Sequence, residues 1–172
     1  VMLAPGSVMT GSHEMYKVFT PFKNAFIKRL KEGLPECVPA PAIRGETITD
    51  LQDIRLNYPQ QSFDETVFPA SEKAAIARLR QFCAQGAADY GARRDFPAIE
   101  GTSRLSACLA LGALSPRQCL HRLLAEQPQA LDGGAGAVWL NELIWREFYR
   151  HLMTYHPDLC KHRPFIRWTD KV

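Results

Sequence analysis

Long apolar runs are absent from this sequence of 172 residues. No stretch reaches the roughly 18 uncharged apolar residues that a membrane-spanning helix needs, so we predict no membrane partner. The start of the chain also lacks the basic segment and apolar run of a signal peptide. The chain begins at Val1 instead of Met, and we therefore expect an internal piece of a longer protein.

Paired cysteines are missing as well. The five cysteines are widely spaced and form no CxxC pair: Cys37, Cys83, Cys108, Cys119 and Cys160. An odd number in this pattern fits neither a disulfide framework nor a zinc site, and it indicates a reducing, cytoplasmic location. His121 and His162 each lie near a cysteine, but neither spacing is that of usual metal ligands, so we predict no metal.

A strong charge of one sign is absent from the chain as a whole. Hydrophobic residues make up 46% and charged residues 23%, which is typical of a globular protein, and the net charge is +3. Residues 34–68 nevertheless carry six acidic and two basic side chains, so the rest of the chain has a net charge of +7. This basic remainder permits an anionic partner.

Alternating strand patterns are not found, whereas helical periodicity recurs along the chain. Cap residues and apolar spacing predict helices at 20–33, 71–86, 103–112, 115–126 and 138–154, with a helical turn at 90–94. Thr20 followed by Pro21 is the expected start of the first helix. Residues 34–68 contain four prolines and little periodicity, and we predict a long irregular linker there. The expected fold class is all-α, a multi-helix unit preceded by this linker.

The predicted helix 138–154 carries an unusual second face. At about 100° per residue, Leu140, Ile144 and Phe148 form a core face. The opposite stripe contains aromatic and charged residues in place of the usual solvated ones: Glu142, Trp145, Arg146 and Tyr149, with Trp139 at its edge. Such a set suits a flat aromatic ligand, which stacks on the rings while the polar groups read its edge. The alternative is a helix buried on both sides, with Glu142 and Arg146 forming an i,i+4 salt bridge.

Two further segments indicate phosphate chemistry. Residues 101–106, Gly-Thr-Ser-Arg-Leu-Ser, place three hydroxyls and a guanidinium at a helix start, where free N–H groups favour an anion. Tyr90 with Arg93 and Arg94 could meet a nucleic-acid backbone. The alternatives are an ordinary helix cap for the first segment and a solvated charge cluster for the second.

Three motifs together resemble the DNA photolyases of the photolyase/cryptochrome family. They are residues 139–150 (WLNELIWREFYR), 100–106 (EGTSRLS) and 19–22 (FTPF). Within the family the chain is similar to the cyclobutane pyrimidine dimer photolyases of the enteric-bacterial type, and the resemblance covers essentially all residues. It implies that residues 1–18 end an N-terminal α/β domain or form a connector. Residues 19–68 would be a helix plus interdomain linker, and residues 69–172 the N-terminal half of a helical FAD- and DNA-binding domain.

The resemblance also implies an activity, namely light-dependent repair of pyrimidine dimers in DNA by electron transfer from reduced FAD. Photolyases are known to flip the damaged base out of the duplex. The missing N-terminal domain would hold an antenna folate or deazaflavin, and the later helices would carry the electron-transfer tryptophans. The full-length protein is expected to be a cytoplasmic monomer, and the isolated piece to be inactive.

Matching family positions imply the roles of individual residues. The expected catalytic residues, which address the lesion, are Glu142 and Trp145. The expected FAD contacts are Tyr90, Thr102, Ser103, Arg104, Leu105, Ser106 and Trp139. The expected DNA contacts are Arg94, Glu142, Leu143, Ile144, Trp145, Arg146, Glu147, Phe148 and Tyr149.

Two other classes of protein stay open at the level of sequence. One is a cryptochrome-like blue-light receptor on the same fold, although Glu142 and Trp145 together favour repair. The other is a cofactor-free helical interaction module, which the absence of flavin absorption would favour.

Overall fold

The computed structural model describes residues 1–39 and 71–166, together with positions 42, 45, 64 and 169. In this part of the chain there are six α-helices and no β-strand, which confirms the all-α prediction. The helices are α1 (Phe19–Glu32), α2 (Glu72–Gln85), α3 (Tyr90–Arg93), α4 (Ser106–Leu111), α5 (Pro116–Glu126) and α6 (Ala137–Tyr155). Two 3₁₀ turns, Pro128–Asp132 and Pro157–Lys161, follow α5 and α6. None of the described helices is long and apolar enough to cross a membrane.

Helices α1 and α6 form the centre of the fold. The core face of α1, Phe22, Phe26 and Leu30, is fully buried. The predicted core face of α6 is buried too, and the Phe22 ring lies 5.2 Å from that of Phe148. The buried His151 ring lies edge-on to both Phe22 and Phe26, with centroids 5.1 and 6.1 Å away. This apolar contact fixes the position of the opposite face of α6.

The start of α1 differs from the prediction. Thr20 was expected to cap the helix, but the helix begins at Phe19, and Val18 holds the cap position without a side-chain hydrogen bond. Phe19 packs its ring on Trp145 of α6, and this tertiary contact accompanies the earlier start. The predicted end is confirmed, because Gly33 directly follows the last helical residue.

Helices α2 and α5 start as the sequence predicts. The Ser71 hydroxyl accepts a hydrogen bond from the Ala74 N–H at 3.1 Å. Ser115 forms a capping box with Gln118, in which each side chain accepts from the other residue's backbone N–H. These local bonds satisfy backbone donors that the first helical turn leaves without partners.

Helix α4 begins three residues later than predicted, at Ser106. Arg104 has a φ of 51°, in the left-handed region, and this conformation prevents the helix from extending back to Ser103. The predicted end is confirmed, since Gly112 follows α4 with a φ of 82°.

The segments outside the helices are tied to the same core. In the non-helical residues 1–18, Met2, Val8 and Met15 are buried. After α1, the carbonyls of Pro35 and Glu36 accept hydrogen bonds from His121 Nε2 at 2.7 Å and Arg117 Nη1 at 3.0 Å. Most of the predicted linker 34–68 lies outside the described residues.

The buried thiols of α2 and α5 give the first prediction, which concerns alkaline pH. Burial raises the pKa of both Cys83 and Cys119 to about 12 from an ordinary value of 9.0. The unfolded chain therefore loses these protons first, so the stabilising contribution is complete below pH 9 and declines as the pH rises toward 12. We expect the free energy of unfolding in urea to fall less steeply with pH above 9 in Cys119→Ala than in the wild type.

The exposed Cys37 supplies the control for this experiment. Cys37→Ala should follow the wild-type dependence on pH, because folding does not remove that thiol from water. If the free energy of unfolding fell equally steeply with pH in the wild type and in Cys119→Ala, the prediction would be contradicted.

Candidate functional site

The exposed face of α6 carries the stripe of aromatic and charged residues that the sequence predicts. We define the α6 stripe as Glu142, Trp145, Arg146 and Tyr149. The first three side chains are half-buried, and Tyr149 is 53% exposed. The stripe is therefore accessible to a ligand along its whole length.

The buried face of α6 narrows the set of expected DNA contacts. Leu143, Ile144, Glu147 and Phe148 belong to that set, but all four are buried. Helical periodicity turns them toward the interior, so their side chains do not reach a ligand on the outer face. The expected contacts on α6 are thus reduced to the four residues of the stripe.

Aromatic stacking organises the middle of the stripe. The Phe19 and Trp145 rings are parallel within 6°, with centroids 3.6 Å apart. Trp145 also lies in an offset stack with Tyr149, at 5.7 Å and 24°. The sequence assigned no functional role to Phe19, because its distance of 126 positions from Trp145 leaves no local pattern. The family motif at 19–22 was the only signal available.

Glu142 forms a different ion pair from the one that helical spacing suggests. Its carboxylate accepts a hydrogen bond from Arg94 Nη1, on the residue that follows α3. Arg146 instead donates to the Leu109 carbonyl at 3.3 Å and to Glu147 at 3.4 Å. The predicted i,i+4 salt bridge between Glu142 and Arg146 is therefore not formed, and the alternative that depended on it is wrong in this respect.

Arg94 links Glu142 to Tyr90. The Arg94 guanidinium lies 5.7 Å from the centre of the Tyr90 ring, and it is 3.7 Å from the Asp95 carboxylate. Burial, together with the negative charge of Glu142, raises the pKa of the Tyr90 hydroxyl. The hydrogen bond to Glu142 raises the pKa of Arg94, so this side chain stays charged. Tyr90, Arg94 and Glu142, predicted from separate patterns, thus form one connected cluster.

A buried aromatic group lies behind this cluster. Trp139 was expected near the α6 stripe, but it is only 4% exposed and packs against Phe82 of α2, with centroids 5.0 Å apart. The Phe82 ring also lies edge-on to Tyr90 at 6.0 Å. Phe82 is a site residue that the sequence presented only as part of a helix core.

A polar cleft of about 320 Å³ has Phe82 in its wall. Its wall combines guanidinium groups, hydroxyls and a carboxylate: Arg78, Arg93, Arg104, Thr102, Ser103 and Glu100. Glu100 pairs with Arg104, so part of the positive charge is already balanced. Arg93 and Arg94 are adjacent in sequence, yet only Arg93 lines this cleft, while Arg94 contacts the α6 stripe.

The segment 101–106 lines the cleft through Thr102, Ser103 and Arg104. Thr102, Arg104 and Ser106 are exposed and Ser103 is half-buried, whereas the Leu105 side chain is buried. Leu105 therefore anchors the segment in the core, and a ligand could contact Leu105 only through its backbone atoms. Hydroxyls and guanidinium groups of this kind are typical phosphate donors.

Gly101 gives a prediction about this segment. A Cβ at that position would lie 2.6 Å from the Arg93 carbonyl oxygen, which is a backbone atom and cannot rotate away. Gly101→Ala should therefore displace the segment 101–106 from the end of α3 and lower the free energy of unfolding in urea by about 1–3 kcal/mol. Gly11→Ala is the control, because no atom lies within 4 Å of that Cβ. Equal stabilities of the two variants would contradict the close approach.

Comparison with known proteins gives a consistent result. No protein-family model matches the chain. The chain is 75% identical over its whole length to the deoxyribodipyrimidine photo-lyase of Escherichia coli (strain K12), and 74% identical to that of Salmonella typhimurium. Over 97% of its length it is 41% identical to the deoxyribodipyrimidine photo-lyase of Vibrio cholerae. The chain spans 36–37% of the length of these curated relatives. It therefore belongs to the deoxyribodipyrimidine photo-lyase family.

Proposed function

We propose that this chain forms part of a photolyase that repairs pyrimidine dimers in DNA by light-driven electron transfer from FAD. The observation that carries the proposal is the contact from Tyr90 through Arg94 to Glu142. It joins the residues expected to contact FAD to those expected to contact the lesion. The relatives are named deoxyribodipyrimidine photo-lyases, which supports the repair of pyrimidine dimers. The domain boundaries, the antenna cofactor, the monomeric state and the cytoplasmic location stay predictions.

The polar cleft and the aromatic group behind it fit the chemistry of FAD. Thr102 and Ser103, which line the cleft, would donate hydroxyl hydrogen bonds to its phosphates, and Arg104 would add positive charge. Ser106, exposed at the start of α4, would add a third hydroxyl beside the cleft. Tyr90 would border the flavin, and the buried Trp139 would support it from behind through Phe82, which packs on both rings. When bound in its reduced form, FAD supplies the excited electron that splits the cyclobutane ring.

Trp145 and Tyr149 would bind the damaged bases. Their rings are stacked and accessible, so they offer an apolar surface to a base outside the duplex. A pyrimidine dimer unstacks from its neighbours more easily than an intact pair, so this surface favours damaged DNA.

Glu142 would read the polar edge of the lesion. Its carboxylate can accept a hydrogen bond from a pyrimidine N–H, and Arg94 holds it in place. Charge-assisted hydrogen bonds strengthen where water is excluded, as it would be under a bound DNA backbone. The exposed side of Arg94 would at the same time lie close to the DNA phosphates.

Trp145→Ala tests the stacking role. In the full-length protein we expect weaker binding to dimer-containing DNA by about 5- to 100-fold, since stacking on an aromatic ring contributes about 1–3 kcal/mol per base. Binding to undamaged DNA should change little. Phe96→Ala, which removes an exposed aromatic ring elsewhere, is the control. Equal losses on damaged and undamaged DNA would show that Trp145 does not recognise the lesion.

Substitution of Glu142 tests both the polar role and the reaction. We expect Glu142→Ala to lose affinity for the dimer, because in the complex it would leave a pyrimidine N–H without an acceptor, at a cost of about 1–3 kcal/mol. Glu142→Gln should keep most of the affinity, yet both variants should repair fewer dimers per absorbed photon with normal flavin content. Glu126→Gln, in the exposed Arg122–Glu126 pair, is the matched control.

The measurement is the quantum yield of dimer splitting at saturating DNA, in light and in darkness. No light-dependent splitting by the wild-type full-length protein would refute the proposed function. Wild-type yields in both Glu142 variants would refute only the role of this carboxylate.

A further inference from the structure

We infer that Phe19 is the positioning residue for Trp145, and that α1 is thereby part of the lesion-binding surface. This inference rests on the proposed function and deepens it, because it names a residue that sets how the lesion is stacked. The catalytic and binding roles above use no residue of α1.

The stack between the two rings is close enough to exclude a base. The centroids lie 3.6 Å apart with an angle of 6°, which is full face-to-face contact. A pyrimidine would need the same separation to stack on Trp145, so the face that Phe19 covers is closed to it. A flipped base therefore has access only to the part of the indole that Phe19 leaves uncovered.

Phe19 is half-buried and packs against the core. Its ring lies edge-on to buried Phe148, with centroids 5.9 Å apart. Phe19 is also the first residue of α1, whose next inward residue, Phe22, packs on the same Phe148 ring at 5.2 Å. Two contacts with one buried side chain thus fix the position of the Phe19 ring.

Trp145 lacks an equally strong constraint from its own helix. Its other ring contacts are with Phe148, edge-on at 5.7 Å, and with the exposed Tyr149 in an offset stack. A half-buried indole on a helix face has several rotamers available, and choosing one of them costs free energy upon binding. The stack on Phe19 selects one rotamer of Trp145 in the free protein. The indole therefore already has its binding orientation when the lesion arrives.

The experiment compares variants of Phe19 in the full-length protein. Phe19→Leu keeps apolar volume but removes the flat ring, and Phe19→Tyr keeps the ring. Tyr16→Leu is the matched control, because it removes an aromatic ring that packs on Phe22 of α1 and not on Trp145. For each variant we would measure the preference for dimer-containing over undamaged DNA, the flavin content, the free energy of unfolding and the near-ultraviolet circular dichroism of the indole.

We expect Phe19→Leu to lower the preference for the dimer about two- to tenfold, which corresponds to the strength of one aromatic pair. Phe19→Tyr should keep the wild-type preference for the dimer. Tyr16→Leu should keep it too, even where its free energy of unfolding is lower. The tryptophan dichroism should change in Phe19→Leu even without DNA. In a Trp145→Ala background, Phe19→Leu should have no further effect on the preference, since Phe19 acts through the indole.

Two outcomes would overturn the inference. An unchanged preference in Phe19→Leu, with loss in Trp145→Ala, would refute the role of Phe19 and leave the proposed function intact. An equal additional loss in the Trp145→Ala background would show that Phe19 acts on stability or contacts DNA itself. Absence of light-dependent repair in the wild type would instead refute the proposed function, and this inference with it.

Discussion

The packing of α6 against α1 is the interaction on which the rest of the structure depends. Phe22 and Phe148 meet in a closely packed aromatic core, and complete burial of each such side chain contributes about 1.5–3 kcal/mol. Because a helix is rigid, burying one face of α6 also fixes the direction of the other. The Glu142 carboxylate and the Trp145 indole are therefore presented outward by residues that never touch a ligand.

A second constraint comes from the short helix α3. Arg93, its last residue, lines the polar cleft, whereas Arg94, which follows the helix, contacts the α6 stripe, so two adjacent cations serve the two sites separately. Gly101 allows the following segment to return against the Arg93 carbonyl, which keeps the two sites close together. Proximity of this kind is what electron transfer between a cofactor and a lesion would require.

Local signals predicted the fold well, whereas contacts between distant segments escaped them. Ser71, Ser115 and Gly112 mark helix ends through bonds or conformations that depend on neighbouring residues only, and the structure has all three. The start of α1 was misplaced by one residue, at Phe19, whose ring packs on a side chain 126 positions away. In the same way, the partner of Glu142 lies 48 positions earlier, which helical spacing on α6 could not reveal. The roles taken from the family motifs stay predictions, although the geometry brings most of those residues together.

The buried carboxylate of Glu147 has a consequence for any attempt to shorten this protein. It is 0% exposed, and one oxygen accepts a hydrogen bond from the Met2 backbone N–H at 2.9 Å. Removing residues 1–18 would expose the apolar surface that Met2, Val8 and Met15 cover. It would also remove a hydrogen-bond donor from the Glu147 carboxylate, which has no exposed surface. A shorter chain that began at α1 would thus be weakened at α6. The irregular leading segment therefore packs on the same core as the helices.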